Sequence, residues 1–531
     1  MLAKHREAPL LLSAGSDLML PRLLVSILLL AVAAPLLAQP APARAPLNVL
    51  LLTVDGVRTD HLGSYGYARP TTPSLDAFAR DEAVRFAQAF AESPWTTPSI
   101  VSTLLGVPPA VHGIDTRRKW IDPVLPTWMR SLGQRGYHVR GYLAAGEAFG
   151  EIGFELPNIN SEWIVDRLKG QEEPFFIWYH MRSAHLPFNH ERFREEFARA
   201  DSPPLPDPVR DLLLRRDIVT ADEQQGWDPA WRPAVVDLYD ADLRHLDEEI
   251  SWAFDVLKER GLWERTVVVV IADHGEELME HGLVGHASTT LAGTLYDEVM
   301  RIPLLIRVPG IPGGRVVDDL VQQIDILPTL VDLVGGELPS YVEGTSLVPS
   351  LDGSGSVERA RVFFETTLCG WQCWTEGEQS RRLKAVRTAE WKLVVDIAPT
   401  GERQQRLFDL TADPLESRDV AADHPAVAAE LAGALADREA RSVHSAAEIA
   451  RSVLERRIAD LSSVPVSDRP KRVVDTCDRL SRLRYLYRQQ TPSLFDDPQE
   501  REQFARRAAR LVGLLGENAQ RYWVCREAVA F

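Results

Sequence analysis

The chain has 531 residues, 45% hydrophobic and 25% charged, and its 76 acidic side chains outnumber 59 basic ones for a net charge of −17. That composition is ordinary for a globular protein, and the length allows a large core and more than one domain. So acidic a chain speaks against nucleic acid or an anionic membrane as a general partner. An anionic substrate would need local positive charge, most simply a metal ion.

The first informative stretch is Leu23–Ala38, a continuous apolar run with Arg22 before it, Lys4 and Arg6 further back, and Ala41-Pro42-Ala43 after it. By length and flanks it reads as a signal peptide, and it is short for a membrane-spanning helix. Residues 1–45 are therefore expected to be a leader and the protein to be exported, to a bacterial periplasm or the medium. An uncleaved anchor is the rival reading. No later segment is long and apolar enough to cross a bilayer. Four cysteines (Cys369, Cys373, Cys477 and Cys525) suit an exported protein, and their four positions allow three disulfide pairings.

Asn48–Val54 is an apolar run that ends in Asp55-Gly56, the pattern of a parallel strand covered on both faces. Ligands of open α/β sheets gather beyond the carboxyl ends of such strands, where Asp55 falls, although Asp-Gly is also an ordinary turn pair. Pro73–Phe90 predicts a helix with Leu75, Phe78, Ala79 and Phe86 on one side. Ser93–Gly106 reads as a loop turning into a helix, with Pro98 in the first turn and Ile100, Val101, Leu104 and Leu105 on a buried face. Thr96 and Thr97 then stand at the helix N-terminus, where unpaired N–H groups favour negative charge. A hydroxyl there either caps the helix or attacks an anionic ester held by the same helix end.

A helix is expected over Leu125–Gly136 and strands over Tyr137–Leu143 and Phe175–Met181, the latter followed closely by His185. Residues 189–230 read as an irregular insertion, and Ala234–Arg260 as a long amphipathic helix. Thr266–Ala272 is the clearest parallel strand, and it runs straight into Asp273-His274-Gly275-Glu276-Glu277. A carboxylate beside an imidazole at the end of a buried strand is poor core chemistry and good metal-ligand chemistry. A further apolar run, Leu304–Val308, and a helix over Leu320–Leu333 complete an alternating pattern. The fold class is thus α/β: a mostly parallel sheet flanked by helices over residues 46–355. Short strands at Arg361–Glu365, Leu383–Thr388, Lys392–Asp396 and Arg406–Leu410 predict a small antiparallel sheet over residues 356–421. Residues 422–531 read as a helical extension whose basic residues face solvent.

Taken in order, N-V-L-L-L-T-V-D (48–55), W-T-T-P-S (95–99), A-D-H-G-E-E (272–277), L-Y-D-E-V-M-R-I-P-L-L (295–305) and R-L-F-D-L-T-A-D-P-L-E (406–416) resemble the sulfatase-like branch of the alkaline phosphatase superfamily. The resemblance covers roughly residues 48–420. It implies one divalent ion, zinc or manganese in preference to calcium, held by Asp55, Thr96, Asp273 and His274. It also implies catalytic roles for Thr96, His185 and His286, the two histidines holding a substrate oxygen or protonating the leaving group. Four departures matter. Thr96 stands where the family carries the Cys or Ser that becomes formylglycine, Ile100 stands where that motif has an arginine, and Gly56 replaces a second aspartate. A G-K-W-H stretch of the family has no counterpart near Tyr137–Gly146. The set is similar to the single-metal site of threonine-dependent phosphoryl-transfer members.

The function expected from this resemblance is a metal-dependent hydrolase of sulfate or phosphate esters. Thr96 would attack as a metal-bound alkoxide to give a covalent intermediate. The substrate would be a small or a glycan- or lipid-linked anionic ester, with no nucleic acid involved. The alternatives are a cell-envelope transferase of phosphoethanolamine or phosphoglycerol groups and a non-catalytic binding protein on the same fold. Glu276 and His281 read as solvated loop residues or supports behind the ligands, and Trp95 as packing.

Overall fold

The computed structural model describes residues 46–115, 121–122, 125, 127–142, 154, 174–367, 381–463, 465 and 498–515. The apolar run Leu23–Ala38, the four cysteines and residues 143–146 lie outside the described residues.

Seven strands form the central sheet: β1 (Asn48–Val54), β2 (Val84–Phe90), β3 (His138–Tyr142), β4 (Phe175–Met181), β5 (Thr266–Ala272), β8 (Arg301–Arg307) and β9 (Arg315–Gln322), in the order β3-β4-β1-β5-β8-β2-β9. Two-residue strands β6 (Glu277–Leu278) and β7 (Val284–Gly285) pair with each other alone. All central pairings are parallel except those of β8, which runs antiparallel to both β5 and β2. Every residue of β1 and β5 is buried, as their unbroken apolar sequences require.

Helix α1 (Pro73–Asp81) packs on the long helix α2 (Arg232–Glu259), with Phe78 and Phe254 in ring contact at 4.5 Å. The expected helix Pro73–Phe90 is therefore a helix followed by a strand. Helical spacing continues past Glu82, but Val84–Phe90 lies between β8 and β9 and takes hydrogen bonds from both, so sheet pairing overrides local periodicity. The same competition splits Leu320–Leu333: Leu320–Gln322 finishes β9 and the helix begins at Ile326, running to Val334. The insertion at 189–230 is not wholly irregular, since Asp207–Arg215 is a helix that buries Val209 and Leu213.

A second sheet, β10 (Val362–Thr367), β11 (Arg382–Arg387), β12 (Trp391–Ile397) and β13 (Arg403–Asp409), is antiparallel throughout. Helix α3 (Pro425–Ser463) binds both halves of the molecule. Its first turns bury Ala428, Leu431 and Leu435 against Val386, Leu393, Val395 and Leu407 of the small sheet. Further along, Ala446, Ile449, Ala450 and Val453 join the main core. Its arginines do not all face solvent: Arg438 pairs with Glu343 and Arg457 reaches Asp122 at 3.1 Å, all four side chains being largely buried. A last helix, Pro498–Leu515, follows. Among the described residues no helix is long and apolar enough to cross a membrane.

Candidate metal and nucleophile site

Neighbouring strands β1 and β5 end at the same level, Val54 opposite Ala272, so Asp55 and Asp273 leave the sheet side by side. Backbone bonds hold both: Asp55 N–H donates to Met181 O at 2.8 Å and Asp273 N–H to Val54 O at 3.2 Å. His274 comes next, with Nδ1–H donating to the Gly275 carbonyl at 2.8 Å. That bond leaves Nε2 as the ring atom free to bind an ion. Nε2 lies 3.4 Å from Asp55 Oδ1, 3.4 Å from Asp273 Oδ2 and 3.4 Å from Thr96 Oγ1. Asp55, Asp273 and His274 form a group of three whose ligand atoms lie within 4.8 Å of one another.

The chemistry of this donor set fits a small divalent cation. Asp55 Oδ1 and Asp273 Oδ2 are buried and find no hydrogen-bond partner among the described residues. Ligands about 2.05 Å from a tetrahedral ion stand about 3.4 Å apart, the spacing seen around His274 Nε2. Burial raises Asp55, but the charges of His185, His180 and His274 more than offset this and hold it well below the usual carboxylate range. Burial and the neighbouring Asp55 charge push Asp273 well above that range. Two buried carboxylates this close do not both ionise unless a cation sits between them.

Thr96 opens a ten-residue helix, Thr96–Leu105, whose N-cap is Trp95. No side chain caps that helix, so the capping reading of Thr96 gives way to one in which its hydroxyl faces His274. Trp95 is buried, as packing requires. His185 and His286 join the same hollow: the His286 ring centroid lies 4.2 Å from that of His274 and 5.0 Å from that of His185. Burial lowers His185 to about 4 and holds His286 well below its ordinary value, the latter helped by His274. The structure therefore brings together Asp55, Thr96, Asp273, His274, His185 and His286.

Glu276 is not a solvated loop residue. It is fully buried, its Oε1 lies 2.8 Å from His286 Nδ1, and its Oε2 lies 3.3 Å from where a Cβ on Gly56 would stand. The carboxylate on this side of the site thus comes from position 276, and Gly56, at φ +69°, leaves room for it. His281 sits apart, stacked on Tyr296 at 3.5 Å and 3.8 Å from Glu298 Oε1.

Several contributors escape sequence reading. His180 of β4 stands opposite Thr53 of β1, whose Oγ1 accepts the Trp178 indole N–H at 2.9 Å and donates to His180 Nδ1 at 2.9 Å. His180 Nε2 then faces Asp55 Oδ2 at 3.4 Å. The available signal was one imidazole and one hydroxyl in two otherwise apolar strands. Arg182 Nε lies 3.4 Å from the same Asp55 oxygen. Gln323 donates to Ala272 O at 3.0 Å and Asp273 O at 2.6 Å while accepting from Glu92 N–H at 3.0 Å, tying the end of β5 to the loop that precedes Thr96.

The family model described as Sulfatase matches residues 47–336, more than half of the chain. The chain belongs to the sulfatase family. A second model, described as the C-terminal part of N-sulphoglucosamine sulphohydrolase, matches residues 292–441 and takes in the small sheet. Arylsulfatase K of Bos taurus is 30% identical over 199 residues, 37% of this chain and 34% of that protein. Choline-sulfatase of Rhizobium meliloti is 30% identical over 210 residues, 39% of this chain and 36% of that protein. The chain spans about a third of the length of these two relatives. Among solved structures, the phosphonate monoester hydrolase of Agrobacterium radiobacter superposes with a TM-score of 0.62 at 22% identity, covering 75% of this chain and 96% of that one. That likeness shows a shared fold: a mostly parallel central sheet with a small antiparallel sheet and C-terminal helix.

Proposed function

We propose that this sulfatase-family chain is a metal-dependent hydrolase of anionic esters, sulfate or phosphate, with Thr96 as nucleophile. The observation that carries the reading is the convergence of Thr96 Oγ1 with Asp55 and Asp273 on His274 Nε2. Asp55, Asp273 and His274 would hold one divalent ion, zinc or manganese by the donor set and spacing. When bound, that ion supplies positive charge that eases deprotonation of a neighbouring hydroxyl and balances charge on the transferred group. Thr96 Oγ attacks the central sulfur or phosphorus as its proton leaves, the bond to the leaving oxygen breaks and a proton passes to that oxygen, and the group is held as an ester of Thr96 until water cleaves it, one water proton returning to Thr96 Oγ and the hydroxyl staying on the released group. The N-terminal N–H groups of the Thr96 helix face the anionic oxygens. Buried His185 and His286 stand where the leaving group departs. A threonine cannot become formylglycine, so the reaction runs through the native alcohol. Export, suggested by Leu23–Ala38, is part of this proposal.

A paired screen tests it. Nitrophenyl sulfate, phosphate, phosphodiester and phosphonate esters are offered with zinc, manganese or calcium to the wild-type chain and to Thr96→Ala. Turnover of one ester class, abolished by a chelator and lowered at least about 10³-fold by Thr96→Ala, is expected. Turnover that survives Thr96→Ala unchanged would remove the threonine from the mechanism.

A further inference from the structure

Two basic residues of the small sheet, Arg387 of β11 and Lys392 of β12, stand directly opposite each other. Like charges so placed repel, and Lys392 is fully buried, so the pair needs a carboxylate. Asp297 supplies it from outside the sheet: Lys392 Nζ–H donates to Oδ1 at 2.9 Å and Arg387 Nε–H to Oδ2 at 2.9 Å. Glu416 completes the group, its Oε1 accepting from Lys392 Nζ at 2.9 Å and from Asp297 N–H at 2.7 Å. Burial raises the Asp297 carboxyl, but Lys392 and Arg387 more than offset this and hold it below the usual carboxylate range. Asp297 opens the one-turn helix Asp297–Met300, whose backbone lies on the residue after His274. Gly275 N–H donates to Val299 O at 2.7 Å, and a Cβ on Gly275 would stand 2.0 Å from Glu298 O. His274 in turn bonds through Nδ1 to Gly275 O at 2.8 Å. A second line leads from β10 to the neighbouring ligand. Glu365 N–H donates to Glu92 O at 3.1 Å, Glu92 N–H to Gln323 Oε1 at 3.0 Å, and Gln323 Nε2 to Asp273 O at 2.6 Å. The small sheet thus reaches the turn Asp273-His274 by two routes.

We propose that Lys392 is a positioning residue for the metal site, acting through Asp297 and Gly275 on His274, so that the small sheet sets how tightly the ion is held. The inference rests on the metal-site reading above and adds an outer support to it. Ligand groups must be held within about 0.5 Å of their working geometry, and the partners behind them do the holding. Without the Lys392 ammonium, Asp297 and Glu416 would face each other as buried carboxylates and repel. The turn that Asp297 opens then moves away from Gly275. Because Gly275 meets that turn backbone against backbone, the shift passes directly to His274 and to the direction of its Nε2. A lysine that only stabilised the fold would change the melting temperature and leave the metal affinity of the folded protein as it was.

Metal binding by the folded protein separates the two. The full chain, stripped with a chelator, is titrated with zinc against a competing dye, and its cobalt form is read by visible absorption. Lys392→Met keeps the length of the side chain and removes its charge. Asp297→Asn keeps the shape and loosens the same clamp from the other side, with less risk to folding. Leu431→Ala, in the core shared by the small sheet and α3, lowers stability without touching either route. Lys392→Met and Asp297→Asn are each expected to weaken zinc binding about 10-fold and to alter the cobalt spectrum, while Leu431→Ala binds as wild type does. Should Lys392→Met fail to fold, Asp297→Asn decides. Wild-type zinc affinity in either folded clamp variant would overturn the proposal. An equal loss in Leu431→Ala would overturn it too, since the effect would then be a general loosening. A wild-type chain that takes up neither zinc nor cobalt would overturn the metal reading itself, and this inference with it.

Discussion

His180 shows how much of the site is settled one side chain at a time. Its Nδ1 accepts from Thr53, which orients the ring so that Nε2 meets the Asp55 carboxylate from behind. Partners placed behind a ligand fix its orientation and basicity. His180→Ala should weaken metal binding about 10- to 100-fold, read by titrating the stripped protein with zinc, while the sheet stays folded by circular dichroism. Glu92 carries a different consequence. Burial raises its carboxyl to about 8, with like charge from Asp325 and Glu365 acting in the same direction against Arg438 and Arg359. In the unfolded chain it ionises near about 4.3. The native state therefore holds this proton between those two values while the unfolded state has lost it, and this contribution to stability declines as pH rises across that window. Glu92→Gln should flatten the fall in melting temperature between pH 5 and pH 8, measured against wild type in matched buffers.

Among the elements, the turn after β5 tolerates least. Gly275 N–H donates to Val299 O at 2.7 Å, and a Cβ on this residue would stand 2.0 Å from the Glu298 carbonyl oxygen. Backbone cannot move aside as a side-chain tip can, so Gly275→Ala must displace the turn that carries His274. It is expected to cost about 3 kcal/mol by denaturant melts and to lower metal retention in parallel. Strand β8 makes the complementary point about legibility. Its apolar run is evident in the sequence, yet nothing in that run declares that it lies antiparallel between β5 and β2. Direction depends on the path of the preceding connection, not on the residues of the strand. Val84–Phe90 fails for a related reason: the period of its apolar residues suits a helix, and hydrogen bonds to two strands more than 200 residues further along make it β2.

For the whole molecule, α3 is the element that holds the small sheet to the large one. Leu431 lies 2% exposed among residues of β11, β12 and β13, and Val453 on the same helix belongs to the main core. Leu431→Ala is expected to cost about 2–5 kcal/mol, seen as a lower denaturant midpoint. Local damage confined to the small sheet would instead show as an early, separate transition. The chain carries a net charge of −17, yet His185, His274, His286 and Arg182 stand around the two carboxylates of the site.

Sequence alone determined the apolar strands and the polar residues at their ends. Seven buried residues in a row can satisfy their backbone and their side chains only inside a covered sheet, so Asp55 and Asp273-His274 had to emerge at strand ends where ligands bind. The helix start placed Thr96 by the same local logic. Tertiary structure alone decided that these ends meet, bringing Thr96 to His274 across 178 residues and Thr53 to His180 across 127. It also decided that Glu276 is buried against Gly56 and His286. Those outcomes rest on strand order and on which turn packs over which, and such contacts leave no periodic trace in the chain.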